Sequence, residues 1–360
     1  MKNIIITGVS GQCGSYFVDY LLENTDYEIY GMVRRLSVKN YKNIEHIKDK
    51  RFHLFSGDLN DSHSIYKCLE EIKPDFFVNC AAQSFVAESW ITPANTMLTD
   101  SVAIIHILEV IRKLVPNCRF LNFGSSEELG DVVYSPQDEK HPARARSIYG
   151  VAKIAARQII KVYRESYNLY AIQPWFYNYE SERRGEEFVS RKITLGVARI
   201  NNAIKNREMF DPISLGNVNS QRDWSYCLDM VDGAWKSLNQ DKNNVKEYIF
   251  SSNETRSIKN FVEKAFLEAG IDGYWSNSIL DERFERYILP NYIIENNNLK
   301  SYVLVDIDEK FFRPADVEKL WGDSNLARKE LDWHPKVSFD ELISKMVKND
   351  IENFIPPTKS

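Results

Sequence analysis

A chain of 360 residues with 43% hydrophobic and 12% aromatic content can bury a large core, and it suits one large α/β domain with a smaller lobe appended. A net charge of −5 and six scattered histidines point away from nucleic acid and membrane surfaces as partners. The five cysteines (13, 68, 80, 118, 227) include no C-x-x-C pair, which argues against disulfides and a metal site and for a reducing cytoplasm.

The first predicted element begins at once. Met1-Lys2-Asn3 runs straight into a strand over residues 4–7, so no signal peptide is expected, and no run of 18 apolar residues predicts a membrane span. Gly8-Val9-Ser10-Gly11-Gln12-Cys13-Gly14 follows, then an amphipathic helix over residues 15–23. Glycines at this spacing permit a tight turn, close approach to a pyrophosphate and helix–strand packing, with the helix N-terminus facing the negative charge. This predicts a dinucleotide site. The G-x-x-G-x-x-G spacing is the variant found in short-chain dehydrogenases.

A second strand over residues 27–33 ends in Arg34-Arg35, where an NAD enzyme usually carries an acidic residue for the ribose 2′-hydroxyl. Two guanidinium forks suit a 2′-phosphate instead, which predicts NADP; a solvated basic strand end is the alternative. A third strand spans residues 52–55, after which Asp58 is placed to meet the adenine. A fourth spans 76–81, and the Ala81-Ala82 turn would run beside the nicotinamide ribose. A helix over residues 100–114 and a strand over 120–124 complete an alternation that implies a parallel, doubly wound sheet with strands buried on both faces.

That fifth strand runs into Gly124-Ser-Ser-Glu-Glu-Leu-Gly-Asp131, which reads either as a polar turn capping a helix or as a set of proton-handling groups. A long helix is predicted over 147–166 and carries Tyr149-x-x-x-Lys153. Residues i and i+4 share a helix face, so the ammonium sits by the phenol and lowers its pKa towards that of a useful base. Together with the glycine loop, and with Glu128 placed 21 residues earlier, this pattern indicates short-chain dehydrogenase chemistry. A strand over residues 169–176 closes a Rossmann domain of residues 1–178. Residues 179–360 read mainly as a smaller α/β substrate lobe, with some later segments returning to the sheet and the border left open at residues 252–270.

The chain resembles the GDP-mannose 4,6-dehydratases, which are extended short-chain dehydrogenases/reductases, almost from end to end. The likeness is carried by ITGVSGQCGSY, VRRLSVKNYKNIEHI, GDLNDS, NCAAQSFV, SIYGVAK, YRESYNLYA, ESERRGEEFVSRKITLGVARI, NSQRDW, FFRPADVEKLWGD and LDWHPKVSFDEL. The resemblance implies NADP and a GDP-linked hexose or heptose as substrate, with GDP-mannose foremost. It implies a catalytic hydroxyl at Ser126, where the family usually has Thr, an acid/base at Glu128, and the pair Tyr149 and Lys153. Ser126 and Glu128, two apart on an extended segment, are expected to face the same side.

Tyr149 would take the 4-hydroxyl proton as hydride leaves carbon 4, Glu128 would remove the carbon-5 proton and expel the 6-hydroxyl, and hydride would return to carbon 6. The expected cofactor set is Gly8, Ser10, Gly11, Gln12, Cys13, Gly14, Arg34, Arg35, Asp58, Leu59, Ala81, Ala82, Gln83, Tyr149, Lys153 and Arg184. Arg184 matches a contact made between neighbouring subunits, so a homodimer or homotetramer is expected. The expected substrate set is Ser84, Asn178, Val189, Lys192, Arg222, Arg313 and Asp316.

The chain departs from the family pattern at Cys13 (commonly Asp), Phe85 (His), Asn95 (Tyr), Gly130 (Tyr), Tyr179 (His) and Asp316 (Glu). These changes bear on the shell around the sugar and on the ribose contact. Two other readings remain: an epimerase or 4-keto reductase, against which Glu128 argues, and an NADP-binding sensor without turnover.

Overall fold

The protein is described from a computed structural model covering residues 2–35, 37, 40–277, 285–292, 300–312 and 315–356. Its first half is the doubly wound sheet. The elements are β1 (Asn3–Thr7), α1 (Gln12–Asn24), β2 (Glu28–Val33), β3 (Phe52–Ser56), α2 (Ser62–Ile72) and β4 (Phe76–Asn79). Two short helices, α3 (Glu88–Ile91) and α4 (Pro93–Met97), lead through a π-helical turn (Leu98–Val102) into α5 (Ala103–Leu114). Then come β5 (Arg119–Asn122), a 3₁₀ turn (Ser126–Leu129), α6 (Ile148–Tyr167) and β6 (Ala171–Ile172). The six strands pair in parallel in the order β3-β2-β1-β4-β5-β6.

Successive side chains of a strand point to opposite faces, and here they feed two cores. Ile4, Ile6, Val78 and Leu121 pack beneath α1, whereas Ile5, Phe77 and Phe120 pack beneath α2, α5 and α6. β3 departs from the expectation of two buried faces. It is the edge strand, and Leu54 on it is 44% exposed.

The predicted strand over 169–176 is two short strands, β6 and β7 (Trp175–Phe176), separated by Gln173 and by Pro174, which has no N–H to give to a ladder. β7 pairs in parallel with β12 (Ile249–Phe250). The elements between them are β8 (Asn178–Glu180), α7 (Val189–Asn206), β9 (Ile213–Leu215), β10 (Gln221–Arg222), β11 (Trp224–Tyr226) and α8 (Cys227–Leu238). α8 packs against α1 and β5, so it belongs physically to the sheet.

The remainder comprises β13 (Arg256–Ser257), α9 (Ile258–Glu268), β14 (Tyr274–Asn277), β15 (Glu285–Tyr292), β16 (Lys300–Ile307), α10 (Asn325–Leu331) and α11 (Phe339–Glu352). β14, β15, β16 and β9 form a four-stranded sheet. α9 packs on α7 and α11, so residues 258–268, which the sequence left open, pack within the lobe. One apolar core nonetheless runs from Ile4 and Phe17 through Trp224 and Phe261 to Met346.

The helical stretch Pro93–Leu114 is long and apolar enough to cross a membrane by length and composition. Half of it is buried, and it packs as a core helix against α2 and α6.

Candidate active site

A cavity of ≈ 410 Å³ opens where β5, α6, β8 and α7 meet the segment around Phe311. It is lined by Ser125, Ser126, Glu127 and Tyr149 from the first half of the chain. The predicted substrate residues Ser84, Asn178, Val189, Lys192, Arg222 and Asp316 line the same cavity, and Arg313 lies outside the described residues.

Ser147 caps α6, its hydroxyl accepting from Gly150 N at 3.1 Å, and this places Tyr149 in the first helical turn. A Cβ on Gly150 would lie 2.5 Å from Glu127 O, so glycine is what lets that turn press against the loop carrying Glu127. Tyr149 is buried and lines the cavity together with Ser125. Lys153 Nζ lies 5.6 Å from the Tyr149 ring centre and donates to Phe123 O at 2.9 Å.

Lys153 pulls the Tyr149 phenol down as expected, but burial acts more strongly and leaves its pKa above the usual tyrosine value. Lys153 is also shifted up: burial opposes its charge, and the neighbouring Tyr149, Asp100 and Glu128 outweigh burial.

Glu128 does not face the cavity. Its side chain is fully buried, its Oε2 accepts from Arg157 Nε at 2.6 Å, and its Oε1 accepts from Arg157 Nη2 and Gln173 Nε2, each at 3.1 Å. Oε1 also accepts from Ser125 N at 3.0 Å, and Ser125 Oγ accepts from Glu127 N at 3.2 Å. This is a capping box with Glu128 at its third position.

The expectation that Ser126 and Glu128 share a face therefore fails, for a physical reason. The segment is a 3₁₀ turn and not an extended strand end, so the two-residue alternation does not apply. The turn brings Glu127 to the cavity, with Ser125 and Ser126, and sends Glu128 inward. Sequence reasoning missed Ser125 and Glu127, although Ser125-x-x-Glu128 carries the capping-box spacing that would have assigned Glu128 to the turn.

On the dinucleotide side, Gly8 has φ +62°, and a Cβ there would lie 2.8 Å from Ala81 N; the β1–α1 turn thus lies tight against the end of β4. Gly11 caps α1 without a side-chain bond, so the first N–H groups of the helix are left for a ligand. The Gln12 side chain is committed elsewhere, its Nε2 donating to Tyr179 O at 3.2 Å and its Oε1 accepting from Ser181 Oγ at 2.6 Å. Cys13 turns its buried thiol towards Cys80 and Cys227. Only the backbones of Gln12 and Cys13 remain for a phosphate.

Arg34 and Arg35 are exposed, with no hydrogen bond or ion pair among the described residues. Asp58 caps its own turn by accepting from Asn60 N at 2.9 Å, Leu59 is buried in the core, and Ala82 follows Ala81 at the end of β4. Gln83 Oε1 is buried without a partner among the described residues, which suits a hydrogen-bonding ligand beside it. An open glycine loop and a free helix start fit a dinucleotide.

On the substrate side, Lys192 lies 3.5 Å from the Phe311 ring centre, and burial together with Lys310 pushes its pKa down. Arg222 donates to Val317 O at 2.7 Å and lies 3.4 Å from Asp316 Oδ1. Asn178 Oδ1 is buried without a partner among the described residues. Arg184, expected at a subunit contact, lines this cavity, paired with Glu180 at 3.1 Å and stacked 3.5 Å over Phe188.

The family model for GDP-mannose 4,6-dehydratase matches residues 5–346. The chain belongs to the GDP-mannose 4,6-dehydratase family. A GDP-mannose 4,6-dehydratase of Drosophila melanogaster is 39% identical over 360 residues, covering 98% of this chain and 86% of its own. The fold is shared with dTDP-glucose 4,6-dehydratase of Bacillus anthracis in complex with NAD (TM-score 0.77, 19% identity, 98% of this chain and 97% of that one). It is also shared with RMD of Pseudomonas aeruginosa complexed with NADPH (TM-score 0.73, 15% identity, 98% and 100%).

Of the six positions expected to depart from the family pattern, Phe85, Tyr179 and Asp316 line the cavity. Phe85 packs edge-on against Phe188 at 5.6 Å, Tyr179 lies beneath Phe123 and Phe176, and Asp316 accepts from Ser220 Oγ at 3.0 Å. Gly130 closes the 3₁₀ turn outside the cavity, and Asn95 lies in α4.

Proposed function

We propose that this chain is an NADP-dependent 4,6-dehydratase of a GDP-sugar, with GDP-mannose as substrate. The observation that carries the reading is the convergence of Ser125, Glu127 and Tyr149 on one cavity whose far side presents Lys192 and Arg222. Two cations suit a nucleoside diphosphate, and a hydroxyl, a carboxylate and a phenol suit the proton transfers of an oxidation–elimination–reduction sequence.

A nicotinamide cofactor at the glycine loop would accept hydride from sugar carbon 4 and return it to carbon 6. Tyr149 takes the proton of the 4-hydroxyl, and the Ser125 hydroxyl orients that oxygen and the phenol. The ketone so formed acidifies carbon 5, where Glu127 removes the proton and delivers it to the departing 6-hydroxyl. Glu127 thus takes the role expected of Glu128, and Ser125 the role expected of Ser126. Arg34 and Arg35 favour the 2′-phosphate of NADP over the bare ribose of NAD.

The dehydratase reading is tested by incubating the purified protein with GDP-mannose and no added cofactor. Release of a 4-keto-6-deoxy sugar nucleotide supports it; stoichiometric consumption of added NADPH, or binding without turnover, would overturn it. We also infer a homodimer or homotetramer, from the likeness of VRRLSVKN and ERRG to segments the family uses between subunits. A monomer by light scattering would refute that.

A further inference from the structure

The glycine loop and the substrate cavity are joined by one side chain. Gln12 is the first residue of α1, so its backbone N–H belongs to the free helix start of the dinucleotide site. Its buried side-chain amide is used twice on the chain around the end of β8. Nε2 donates to Tyr179 O at 3.2 Å, and Oε1 accepts from Ser181 Oγ at 2.6 Å.

Glu180, between those two partners, is buried. Its carboxylate accepts from Ser190 Oγ at 2.5 Å and pairs with Arg184 at 3.1 Å. Asn178 lies one residue before Tyr179, and Asn178, Glu180 and Arg184 all line the cavity. Ser190 stands in the first turn of α7, which brings Val189 and Lys192 to the same cavity.

A second tie holds this segment to the body of α1. Arg183 donates to Ser15 Oγ at 3.2 Å and pairs with Asp19 at 2.7 Å, and its backbone N donates to Ser181 Oγ at 3.1 Å. Packing of the segment on α1 therefore survives without Gln12. What Gln12 adds is a two-point bond from the first residue of the helix, where the cofactor phosphate would sit.

Hydride transfer needs its two carbons about 3–3.5 Å apart, and a misplacement of about 1 Å can cost on the order of 10²-fold in rate. The cofactor would be held by the glycine loop and the sugar nucleotide by β8 and α7. The joint between these two frames thus sets the distance between the reacting carbons.

We propose that Gln12 is a positioning residue for the substrate: its backbone faces the cofactor, and its side-chain amide holds the end of β8, with Asn178, Glu180 and Arg184, in register with the dinucleotide loop. The inference rests on the GDP-sugar reading of the cavity. A side chain expected from the sequence to bind cofactor acts instead on the other ligand.

Gln12→Met keeps the length of the side chain and the backbone groups of the loop while removing both amide bonds. NADP and GDP are titrated separately into wild type and variant by calorimetry. NADP affinity is expected to stay within about twofold of wild type, and GDP to bind about tenfold more weakly. The first hydride transfer on mixing with GDP-mannose, read as nicotinamide absorbance, should slow by on the order of 10²-fold. Ser181→Ala, which leaves Gln12 itself untouched, should weaken GDP in the same direction, and the double variant should bind GDP no worse than Gln12→Met alone. Unchanged GDP affinity in both single variants would overturn the proposal. So would an equal loss of NADP and GDP, since the amide would then only hold the loop. A wild type that binds no GDP would overturn the GDP-sugar reading and the inference together, whereas a wild type that binds GDP beside indifferent variants overturns the inference alone.

Discussion

Glu128 and Arg157 form a two-point ion pair sealed from solvent, with Nε to Oε2 at 2.6 Å and Nη2 to Oε1 at 3.1 Å. Arg157 also pairs with Glu247 and lies 3.5 Å over the Trp175 ring. Removing one partner of a buried pair leaves a charge without compensation, at about 3–5 kcal/mol. Glu128→Ala should therefore cost about 3 kcal/mol, the low end, because Arg157 keeps Glu247. Urea denaturation measures this. A Glu128→Gln protein as stable as wild type but unable to expel water would return the acid/base role to Glu128.

Glu127→Gln should leave the fold intact, because the Glu127 side chain makes no hydrogen bond or ion pair among the described residues and faces the cavity. Turnover should fall about 10²–10⁴-fold, the usual share of a general acid–base group. Hydride transfer can still begin in this variant, so nicotinamide absorbance should rise transiently without product. Wild-type product formation would remove Glu127 from the mechanism.

Arg35→Ala, and Arg34→Ala beside it, should weaken NADP and spare NAD. A charge-assisted hydrogen bond to phosphate contributes about 1.5–3 kcal/mol, roughly 10- to 100-fold in Kd. Fluorescence titration with each dinucleotide reads the ratio. Equal losses for both would show that the arginines do not read the 2′-phosphate.

Asp223 predicts how stability depends on pH. It is fully buried, its Oδ1 accepts from Ser252 N and Oγ at 2.7 Å, and burial pushes its carboxyl up to about 7. A folded pKa raised above the unfolded value gives stability that is complete below the unfolded pKa and is lost as pH rises through the folded one. Between about pH 4 and 7, this group should therefore withdraw up to roughly 4 kcal/mol. Thermal midpoints at pH 5 and pH 8 should differ less in Asp223→Asn than in wild type. An identical pH slope in the two proteins would count against a buried ionising Asp223.

The sheet and the Tyr149–Lys153 pair were legible in the sequence because each has a strong local pattern: apolar runs between amphipathic helices, and an i,i+4 spacing on one helix. The turn after β5 was misread because four polar residues carry no period of their own. The sequence marked two adjacent carboxylates after β5, but which of them faced inward depended on Arg157 and Gln173, far along the chain. The edge position of β3 and the packing of α8 against β5 of the large sheet depended on strand order and tertiary contact, which local pattern does not encode.

The pairing of Arg157 with Glu247, and of β7 with β12, has a consequence for biosynthesis. Chains leave a ribosome at roughly 5–20 residues per second, so Glu128 and Arg157 emerge on the order of ten seconds before Glu247. In that interval Phe176 lacks the Phe250 ring it stacks on at 5.3 Å, and the turn holding Ser125 and Glu127 lacks its full support. A nascent chain stalled at residue 178 would therefore display a sticky, half-set Rossmann unit, which is the species a chaperone would meet.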